Sequence, residues 1–533
     1  MKLTVKAPLL PIILFTFLLS LLALTTEAEA TSSKAMKVLP EAQRELRASW
    51  IATVQNIDWP SKPGLPIDAQ KKEFTLLLDQ QKNIGMNAIV MQIKPVADAF
   101  YPSKYGLWSQ YLTGVQGQHP GYDPLAFMVK EAHKRNMEFH AWFNPYRVTM
   151  PLGKKAEKSD VYSLPSNHPA RQHPDWVVPY GQQLYFNPGL PSVQKFVTAG
   201  IMEVVKHYDI DAVHLDDYFY PYKIEGVAFP DEDTYAKYGK KQFSTIGDWR
   251  RNNVNELVKN IHTSIHSVKK HVKFGISPFG VWRNKAKDPT GSDTAAGVTN
   301  YDDLYADTRT WINNGYLDYI TPQLYWNIGL PVADYSKLVD WWSKEVKNKK
   351  VHLYIGQADY KINTVSNGVN NWFDPNELPN QILLNRTYKE IKGSMHFSAT
   401  NVRDNPLGIA DRLQHDLYRA PAIIPSMSWL SMKAPQPPTL RHVLAKSKHV
   451  FLHISNNKNT NDTVSYAVYR YKHTEKNKRT KGVLLATLRN KKTLQTFYDY
   501  SVKKGTTYTY AVTAINRNHH ESTPSPGVTV TVN

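Results

Sequence analysis

Residues 123–143, DPLAFMVKEAHKRNMEFHAWF, contain the unit that decides the fold. Asp123 followed by Pro124 is typical of a helix start, with an N-cap residue and a proline at the first helical position. The apolar residues that follow recur on one helical face: Leu125, Met128, Val129 and Ala132. Glu138–Phe143 is then a short, largely apolar run, which is typical of a strand in a buried parallel sheet. The stretch therefore predicts a helix followed by a parallel strand.

The same unit recurs eight times between Leu46 and about Pro425. The strand-like runs are Ala48–Val54, Ala88–Ile93, Glu138–Phe143, Ala212–Leu215, Phe274–Ser277, Tyr319–Tyr325, His352–Ile355 and Ser394–Ser398. Eight such units in about 380 residues predict an α/β fold, an enlarged (β/α)8 TIM barrel with its longest insertion around Thr149–Pro191. A doubly wound open sheet is the alternative, but no glycine-rich phosphate loop follows the first run.

The pattern changes around Pro435–Pro438, and later residues alternate with period two, as in Val464–Tyr471 and Tyr508–Ile515. This alternation predicts a small β-sandwich after the barrel. The predicted organisation is a signal peptide over 1–30, a linker over 31–45, the barrel over 46–425, a second linker over 426–437 and the sandwich over 438–533.

The N-terminus resembles a secretory signal peptide. Lys2 and Lys6 precede the apolar stretch Leu9–Leu24, and Ala28-Glu29-Ala30 offers a small-residue cleavage site. A retained membrane anchor is the alternative, although about sixteen residues are few for a span of roughly twenty. We therefore expect an exported protein of the periplasm, cell envelope or extracellular space, with no membrane span after cleavage.

Composition narrows the function. The 533 residues carry 65 Lys plus Arg against 46 Asp plus Glu, a net charge of +19, and they include no cysteine. The absence of cysteine excludes disulfides, thiolate zinc sites, thiol nucleophiles and lipid anchoring through cysteine. From Pro435 onward there are 16 Lys plus Arg against 4 Asp plus Glu, a net charge of +12. No nucleic-acid motif appears, so an envelope polyanion is the expected partner, and surface solvation is the alternative.

Candidate catalytic residues follow the predicted strands, because a TIM barrel carries its active site at the carboxyl ends of its strands. Asp216 and Asp217 follow the fourth strand, and alternation along a strand predicts that only one of them points into the barrel mouth. The predicted rim combines carboxylates and amides with many aromatic rings, which suits the C–H faces and hydroxyl groups of sugars. Splitting a glycosidic bond needs a second carboxyl group, for which Asp98 is the candidate. Asp58 is a weaker candidate because it could cap a turn with Pro60.

Other side chains at the strand ends are predicted to bind substrate. They are Asp58, Lys94, Asn144, Tyr146, Arg147, Tyr218, Tyr220, Trp282, Arg283, Gln323, Tyr325 and Trp326. The cations Lys94, Arg147 and Arg283 could bind a substrate carboxylate or neutralise the aspartates, and both alternatives stay open. His140 and His214 might suggest a metal site, but the first strand has no His-x-His pair, which metal-dependent barrel hydrolases usually show. No Gly-x-Ser-x-Gly elbow is present, which argues against a serine hydrolase. We expect no metal and no cofactor.

Six motifs in order along the barrel resemble the bacterial glycosyl hydrolase-like 10 family. They are RASWIATVQNIDWPS (Arg47–Ser61), DAFYPS (Asp98–Ser103), HAWFNPYR (His140–Arg147), HLDDYFYPY (His214–Tyr222), DWRRNNVN (Asp248–Asn255) and GISPFGVWRN (Gly275–Asn284). KGTTYTYAVTAIN (Lys504–Asn516) is similar to the late strands of a fibronectin type III module. Lys94 is a departure, since relatives often have Arg before the proline.

The resemblance implies an exported glycoside hydrolase that cuts peptidoglycan glycan strands stripped of their stem peptides, with Asp216 and Asp217 at the catalytic centre. Denuded glycan keeps a lactyl carboxylate on every second sugar, which suits a basic protein. Two alternatives remain: a non-catalytic protein that binds cell-wall polysaccharide, and a hydrolase of another polysaccharide.

Overall fold

A computed structural model describes residues 44–150, 159–430, 433–446, 449–455, 463–472, 482–491 and 494–532. The predicted signal peptide, with most of the linker that follows it, lies outside these residues. Of the helices within them, none combines the length and the apolar character that a membrane span requires.

Eight strands close into one barrel, as predicted. They are β1 (Leu46–Ile51), β2 (Ala88–Lys94), β3 (Glu138–Phe143), β4 (Ala212–Leu215), β5 (Lys273–Ile276), β6 (Tyr319–Ile320), β7 (His352–Gln357) and β8 (Ile391–His396). Every neighbouring pair is parallel, and β1 pairs with both β2 and β8. β6 is shorter than the predicted run, and Pro322, which has no N–H for a ladder, follows it closely.

A helix follows each strand. The helices are α1 (Ile67–Ile84), α2 (Pro124–Lys134), α3 (Pro191–His207), α4 (Ile246–Val268), α5 (Thr308–Asn314), α6 (Tyr335–Val346), α7 (Glu377–Asn385) and α8 (Ala399–Arg403). The predicted cap of α2 is present, because the Asp123 side chain accepts the Ala126 N–H at 3.0 Å. α4 begins after Thr245, whose hydroxyl accepts the Asp248 N–H at 3.1 Å.

The strands bury different residues on their two faces. Ile89 and Met91 of β2 point outward and pack with the apolar faces of the helices. Ala88 and Val90 alternate with them and belong to a separate cluster inside the barrel, together with Trp50 of β1. Both faces of the sheet are therefore covered, which explains the nearly continuous apolar runs in the sequence.

The long insertion between β3 and α3 forms structure of its own. It contains a hairpin of Val177–Tyr180 with Gln183–Phe186 and a short helix, Pro169–Gln172. Shorter elements elsewhere are the strand pair Asp98–Ala99 with Leu107–Trp108 and the helices Gln110–Thr113, Glu232–Tyr238 and Ile409–Arg412.

A repeated hydrogen bond fixes the amino-terminal end of the barrel. Asn87, Asp211 and Asp318 are the residues immediately before β2, β4 and β6. Each side chain accepts the N–H of the second residue of the preceding strand at 2.8–2.9 Å: Arg47, Phe139 and Phe274, respectively. Short polar side chains before alternate strands thus tie the strands together in pairs.

The C-terminal strands form two antiparallel sheets. They are β9 (Thr439–Lys446), β10 (His449–Ser455), β11 (Thr463–Lys472), β12 (Val483–Arg489), β13 (Gln495–Asp499), β14 (Thr507–Asn516) and β15 (Val528–Thr531). One sheet has the order β9-β10-β13 and the other β12-β11-β14-β15. Both contribute to one apolar core, for example through Leu452 and Val468. The predicted two-sheet module is therefore present, while its likeness to fibronectin type III stays a prediction.

The chain between barrel and sheets closes the amino-terminal end of the barrel. Ile424, Met427 and Leu430 pack into the interior cluster beside Leu46 and Ala48. We call these three residues the floor plug.

Candidate active site

A cleft of about 480 Å³ opens at the carboxyl ends of the barrel strands. Every strand or the loop directly after it contributes to the wall, in order from β1 to β8: Trp50, Gln92, Trp142, Asp216, Ser277, Gln323, Tyr360 and Phe397. The cleft therefore occupies the position where this fold carries its chemistry.

Asp216 lies at the base of the cleft, directly after β4. Its Oδ2 accepts hydrogen bonds from Trp142 Nε1 at 3.0 Å and Asn144 Nδ2 at 3.1 Å, and its Oδ1 accepts the Tyr218 N–H at 3.1 Å. Asn144 also accepts the N–H of Arg147 through its own side-chain oxygen at 3.1 Å. Asn144 thereby couples the position of Asp216 to that of the Arg147 loop.

Asp217 also lines the cleft, so the prediction that only one of the two aspartates faces the mouth is wrong. β4 ends at Leu215, so the alternation of a strand does not extend to this pair. Asp217 accepts a hydrogen bond from Gln323 Nε2 at 3.0 Å on one oxygen and one from the Tyr222 hydroxyl on the other. Among the described residues lining the cleft, Asp216 and Asp217 are the two carboxylates.

Both aspartates are nearly inaccessible to solvent, and this sets their protonation. Burial and the adjacent charge of Asp217 raise the pKa of Asp216 to about 6, against the opposing effect of Arg147. Burial also raises the pKa of Asp217, while the hydrogen bonds from Tyr222 and Gln323 lower it. The two carboxyls can therefore hold one proton between them at mildly acidic pH.

Aromatic rings form much of the wall. Tyr325 and Tyr360 meet edge to face at 5.7 Å between ring centroids, and Phe279 and Trp326 do so at 5.4 Å. Tyr218 is 36% exposed, so part of its ring faces the cleft. Such rings can pack against the C–H faces of sugars, because the face of an aromatic ring is electronegative.

Two cations also line the cleft. The Arg147 guanidinium lies 4.4 Å from the Tyr218 ring centroid, and Lys361 Nζ donates to the Tyr325 carbonyl at 2.6 Å. Arg147 lowers the pKa values of both Asp216 and Asp217 by its charge. Lys361 was not selected from the sequence, because it lies four residues beyond the end of β7, in the short 3-10 helix Asp359–Lys361.

The structure does not bring Asp98 and Lys94 into the cleft. Asp98 is fully buried in its short strand, and burial raises the pKa of its carboxyl to about 6. Lys94 Nζ donates to the carbonyls of Asp98 and Tyr105, both at 3.1 Å. Ala97, Ala99 and Phe100 pack in the apolar layer between the strands and the helices, so the chain after β2 leaves the rim of the cleft.

Five further predicted residues also lie away from the cleft wall. Asp58 joins the first and last loops, accepting from the Ala52 N–H at 2.7 Å and the Ser398 hydroxyl at 2.6 Å. Arg283 forms a two-pronged ion pair with Asp302 at 2.9 and 3.0 Å. The other three are buried aromatic side chains: Tyr146, Tyr220 and Trp282. Of the remaining predictions, Arg147, Tyr218, Gln323, Tyr325 and Trp326 line the cleft, and Asn144 supports Asp216 from behind.

Sequence reasoning missed several wall residues. Trp50 and Trp142 lie within strands, on the inward face, whereas the search covered only residues after strand ends. Their signal was a bulky aromatic residue near the carboxyl end of a strand, beside small inward residues. Tyr222 was visible in HLDDYFYPY, but nothing in the sequence showed that its hydroxyl reaches Asp217.

The histidines considered as metal ligands belong to a hydrogen-bonded network inside the barrel. His214 contacts the Ser277 hydroxyl at 2.9 Å and the Tyr319 hydroxyl at 3.0 Å, and His140 contacts Glu138 at 2.9 Å. Within the described ranges, the group with metal-like geometry is His262, His266 and Asp318, whose ligand atoms lie within 4.8 Å of one another. Asp318 also accepts the Phe274 N–H there. The absence of a cofactor stays a prediction.

Comparisons with known proteins agree with this architecture. Residues 45–374 match the family model described as Glycosyl hydrolase-like 10. The chain is 57% identical over 492 residues to "Glycosyl hydrolase YngK" of Bacillus subtilis (strain 168), covering 92% of this chain and 94% of that protein. It is 40% identical over 412 residues to "Glycosyl hydrolase DigH" of Escherichia coli (strain K12), covering 74% and 93%.

Solved structures also show similarity, at low identity. The α-galactosidase from Lactobacillus brevis aligns with a TM-score of 0.38 and 11% identity, over 90% of this chain and 56% of that one.

Proposed function

The chain belongs to the glycosyl hydrolase-like 10 family and is a glycoside hydrolase, and from this premise we propose that its substrate is peptidoglycan glycan lacking stem peptides. The observation that carries the proposal is the cleft itself. It combines a buried pair of aspartates, aromatic walls and two cations in one groove. A neutral sugar polymer would use the first two features, whereas a polymer with carboxylates would also use the third.

The cations favour an acidic glycan. Lys94 and Arg283 lie away from the cleft wall, whereas Arg147 and Lys361 line it, so the substrate carboxylate is assigned to Arg147, with Lys361 as a second contact. Arg147 is planar and can bind a carboxylate through two parallel hydrogen bonds. A lactyl carboxylate on every second sugar would meet it only when the stem peptide is absent, because the peptide is joined through that group.

The aspartates would divide the chemistry between them. Asp216, whose pKa is about 6, would protonate the leaving glycosidic oxygen. Asp217, held by Tyr222 and Gln323, would stay ionised and stabilise the positive charge that develops on the sugar ring. The charge of Asp217 helps to keep the proton on Asp216, so the two roles support each other.

Export completes the proposal. The substrate lies outside the cytoplasm, and the signal-like residues 1–30 would deliver the enzyme there.

The experiment is mass spectrometry of the products from glycan strands with and without stem peptides. We expect shorter strands only from the denuded glycan, and a loss of about 10³-fold or more in rate for Asp216→Asn and Asp217→Asn. Asp302→Asn, on an aspartate paired with Arg283 outside the cleft wall, is the matched control and should retain activity.

Two results would contradict the proposal. Intact denuded strands with the wild-type enzyme would exclude this substrate and direct the search to another polysaccharide. Equal cleavage of both glycans would exclude the role of the free lactyl carboxylate.

A further inference from the structure

The outer face of the sheet β9-β10-β13 carries a cluster of aromatic side chains. Along β10, Val450, Leu452 and Ile454 are buried in the core between the two sheets. The residues that alternate with them, His449, Phe451 and His453, therefore lie on the opposite face. Tyr498 of β13 is the register partner of Phe451, and Tyr500 follows two residues later. We call His449, Phe451, His453, Tyr498 and Tyr500 the aromatic surface.

The rings of this surface lie side by side. Tyr498 and Tyr500 are nearly parallel, with an interplanar angle of 17° and 5.9 Å between centroids. His449 lies 5.6 Å from the Tyr498 ring and 5.4 Å from the Tyr500 ring. Phe451 lies 6.3 Å from Tyr498 and 5.4 Å from His453, so the rings form a continuous row.

The row is open to solvent at one end. Tyr500 is 70% exposed and Tyr498 is 47% exposed, although each could bury a large apolar area. The pair Phe451–Tyr498 stabilises the sheet as a cross-strand contact. Tyr500 lies beyond the last residue of β13, so strand pairing does not account for it. The two exposed tyrosines form one group with the half-buried rings of His449 and Phe451, and a contiguous exposed apolar patch is typical of an interaction site.

We propose that the aromatic surface is a second glycan-binding site, which holds an amino-sugar strand of an anionic polymer away from the catalytic cleft. Sugar rings present C–H bonds that pack on the electronegative faces of aromatic rings. The occupant is anionic because residues from Pro435 onward carry a net charge of +12. The identity of the polymer rests on the proposed function, but the surface itself does not depend on turnover.

The experiment is co-sedimentation of the full chain at 4 °C with insoluble cross-linked peptidoglycan and, separately, with chitin, a neutral amino-sugar polymer. Peptidoglycan with its stem peptides is not the proposed substrate of the cleft, so retention is measured without cleavage. We expect retention on peptidoglycan and weaker retention on chitin. Tyr498→Ala with Tyr500→Ala should weaken the apparent Kd about tenfold or more.

Two variants separate binding from folding. Tyr500→Ala alone removes the most exposed ring, so it should weaken binding while leaving the Tm unchanged. Val483→Ala, at a 47% exposed residue of the other sheet, is the matched control and should bind like the wild type. All three variants should cleave soluble denuded glycan at the wild-type rate.

Unchanged binding of the double variant would overturn the proposal, as would a wild-type chain that sediments with neither polymer. Equal retention on chitin would overturn the anionic character of the occupant. If the wild type fails to cleave glycan but the double variant loses retention, the proposed function fails while the aromatic surface stands.

Discussion

Strand β4 has buried aspartates at both ends, and their pKa values are shifted in opposite directions. Asp211 precedes the strand, and His133 and Lys273 hold the pKa of its carboxyl below the ordinary value. Asp216 and Asp217 follow it, and burial raises the pKa of both. The four residues of β4 separate Asp211 from Asp216, and both aspartates are almost fully buried.

The neighbours decide the difference. At the amino-terminal end, Asp211 accepts a hydrogen bond from His133 Nε2 at 2.7 Å. Glu138 pairs there with Lys273, and His519 Nε2 lies 2.6 Å from the Glu138 carboxylate. At the carboxyl-terminal end, neutral groups are the hydrogen-bond donors to Asp216 and Asp217, while Arg147 acts through its charge. Paired cations thus neutralise the buried carboxylates at the amino-terminal end and stabilise the fold. At the carboxyl-terminal end the carboxylates are only partly neutralised, which suits proton transfer.

The largest expected effect comes from removing the compensation. Lys273→Met leaves Glu138 buried without its closest cation, which should lower the free energy of unfolding at pH 7 by about 3–5 kcal/mol. Chemical denaturation measures it. Lys337→Met breaks an exposed pair with Asp293 and should leave the midpoint nearly unchanged. If both variants unfold at the wild-type midpoint, the amino-terminal charges do not stabilise the barrel.

A second prediction concerns the pH dependence of stability. The folded state binds the Asp216 proton more tightly than the unfolded chain, so this contribution to stability is present below pH 3.8 and is lost as pH rises through about 6. Asp216→Asn removes this loss. The difference in unfolding free energy between the variant and the wild type should therefore shift by about 3 kcal/mol in favour of the variant between pH 4 and pH 7.

Asp211→Asn is the matched variant from the other end of β4. The lowered pKa of Asp211 contributes stability above pH 3.8 that is lost as pH falls, so this variant should be destabilised at pH 7 and less so in acid. Parallel pH curves for Asp216→Asn and the wild type in chemical denaturation would contradict the comparison.

The smallest expected effect concerns the ionisation of Asp217 at the carboxyl-terminal end of β4. Tyr222→Phe removes a hydrogen bond that lowers the pKa of Asp217. The pKa should rise, so the acidic limb of kcat/KM should move to higher pH, with a loss of about tenfold on that limb. Tyr101→Phe, at a buried tyrosine outside the cleft wall, should leave the limb in place. An unmoved limb in Tyr222→Phe would show that Asp217 does not act as a carboxylate.

The sequence was sufficient for the barrel because eight apolar runs, each with its own helix, leave few ways to bury both faces of a sheet. Glu138–Phe143 and Ala212–Leu215 were predicted to the residue. The site was less predictable, since a position after a strand does not determine where the following loop turns. Asp98 and Asp217 both follow strands, yet only the second lines the cleft.

The sequence also did not predict which side chains form ion pairs or hydrogen bonds with each other. Arg283 and Arg147 are alike in sequence terms, but Asp302, 19 residues further on, engages the Arg283 guanidinium. Only folding brings such distant groups together. The Tyr222 contact with Asp217 spans five residues, and the path of an irregular loop decides it.

The floor plug has a consequence for how such chains can be recombined. Because Ile424, Met427 and Leu430 fill the barrel beside Leu46, a cut made where the barrel helices end would leave the interior open. A graft of the C-terminal sheets onto another enzyme would therefore have to start after Leu430, so that the floor plug stays with the barrel of this chain. The segment that can be transferred is thus shorter than the stretch that follows the last barrel helix.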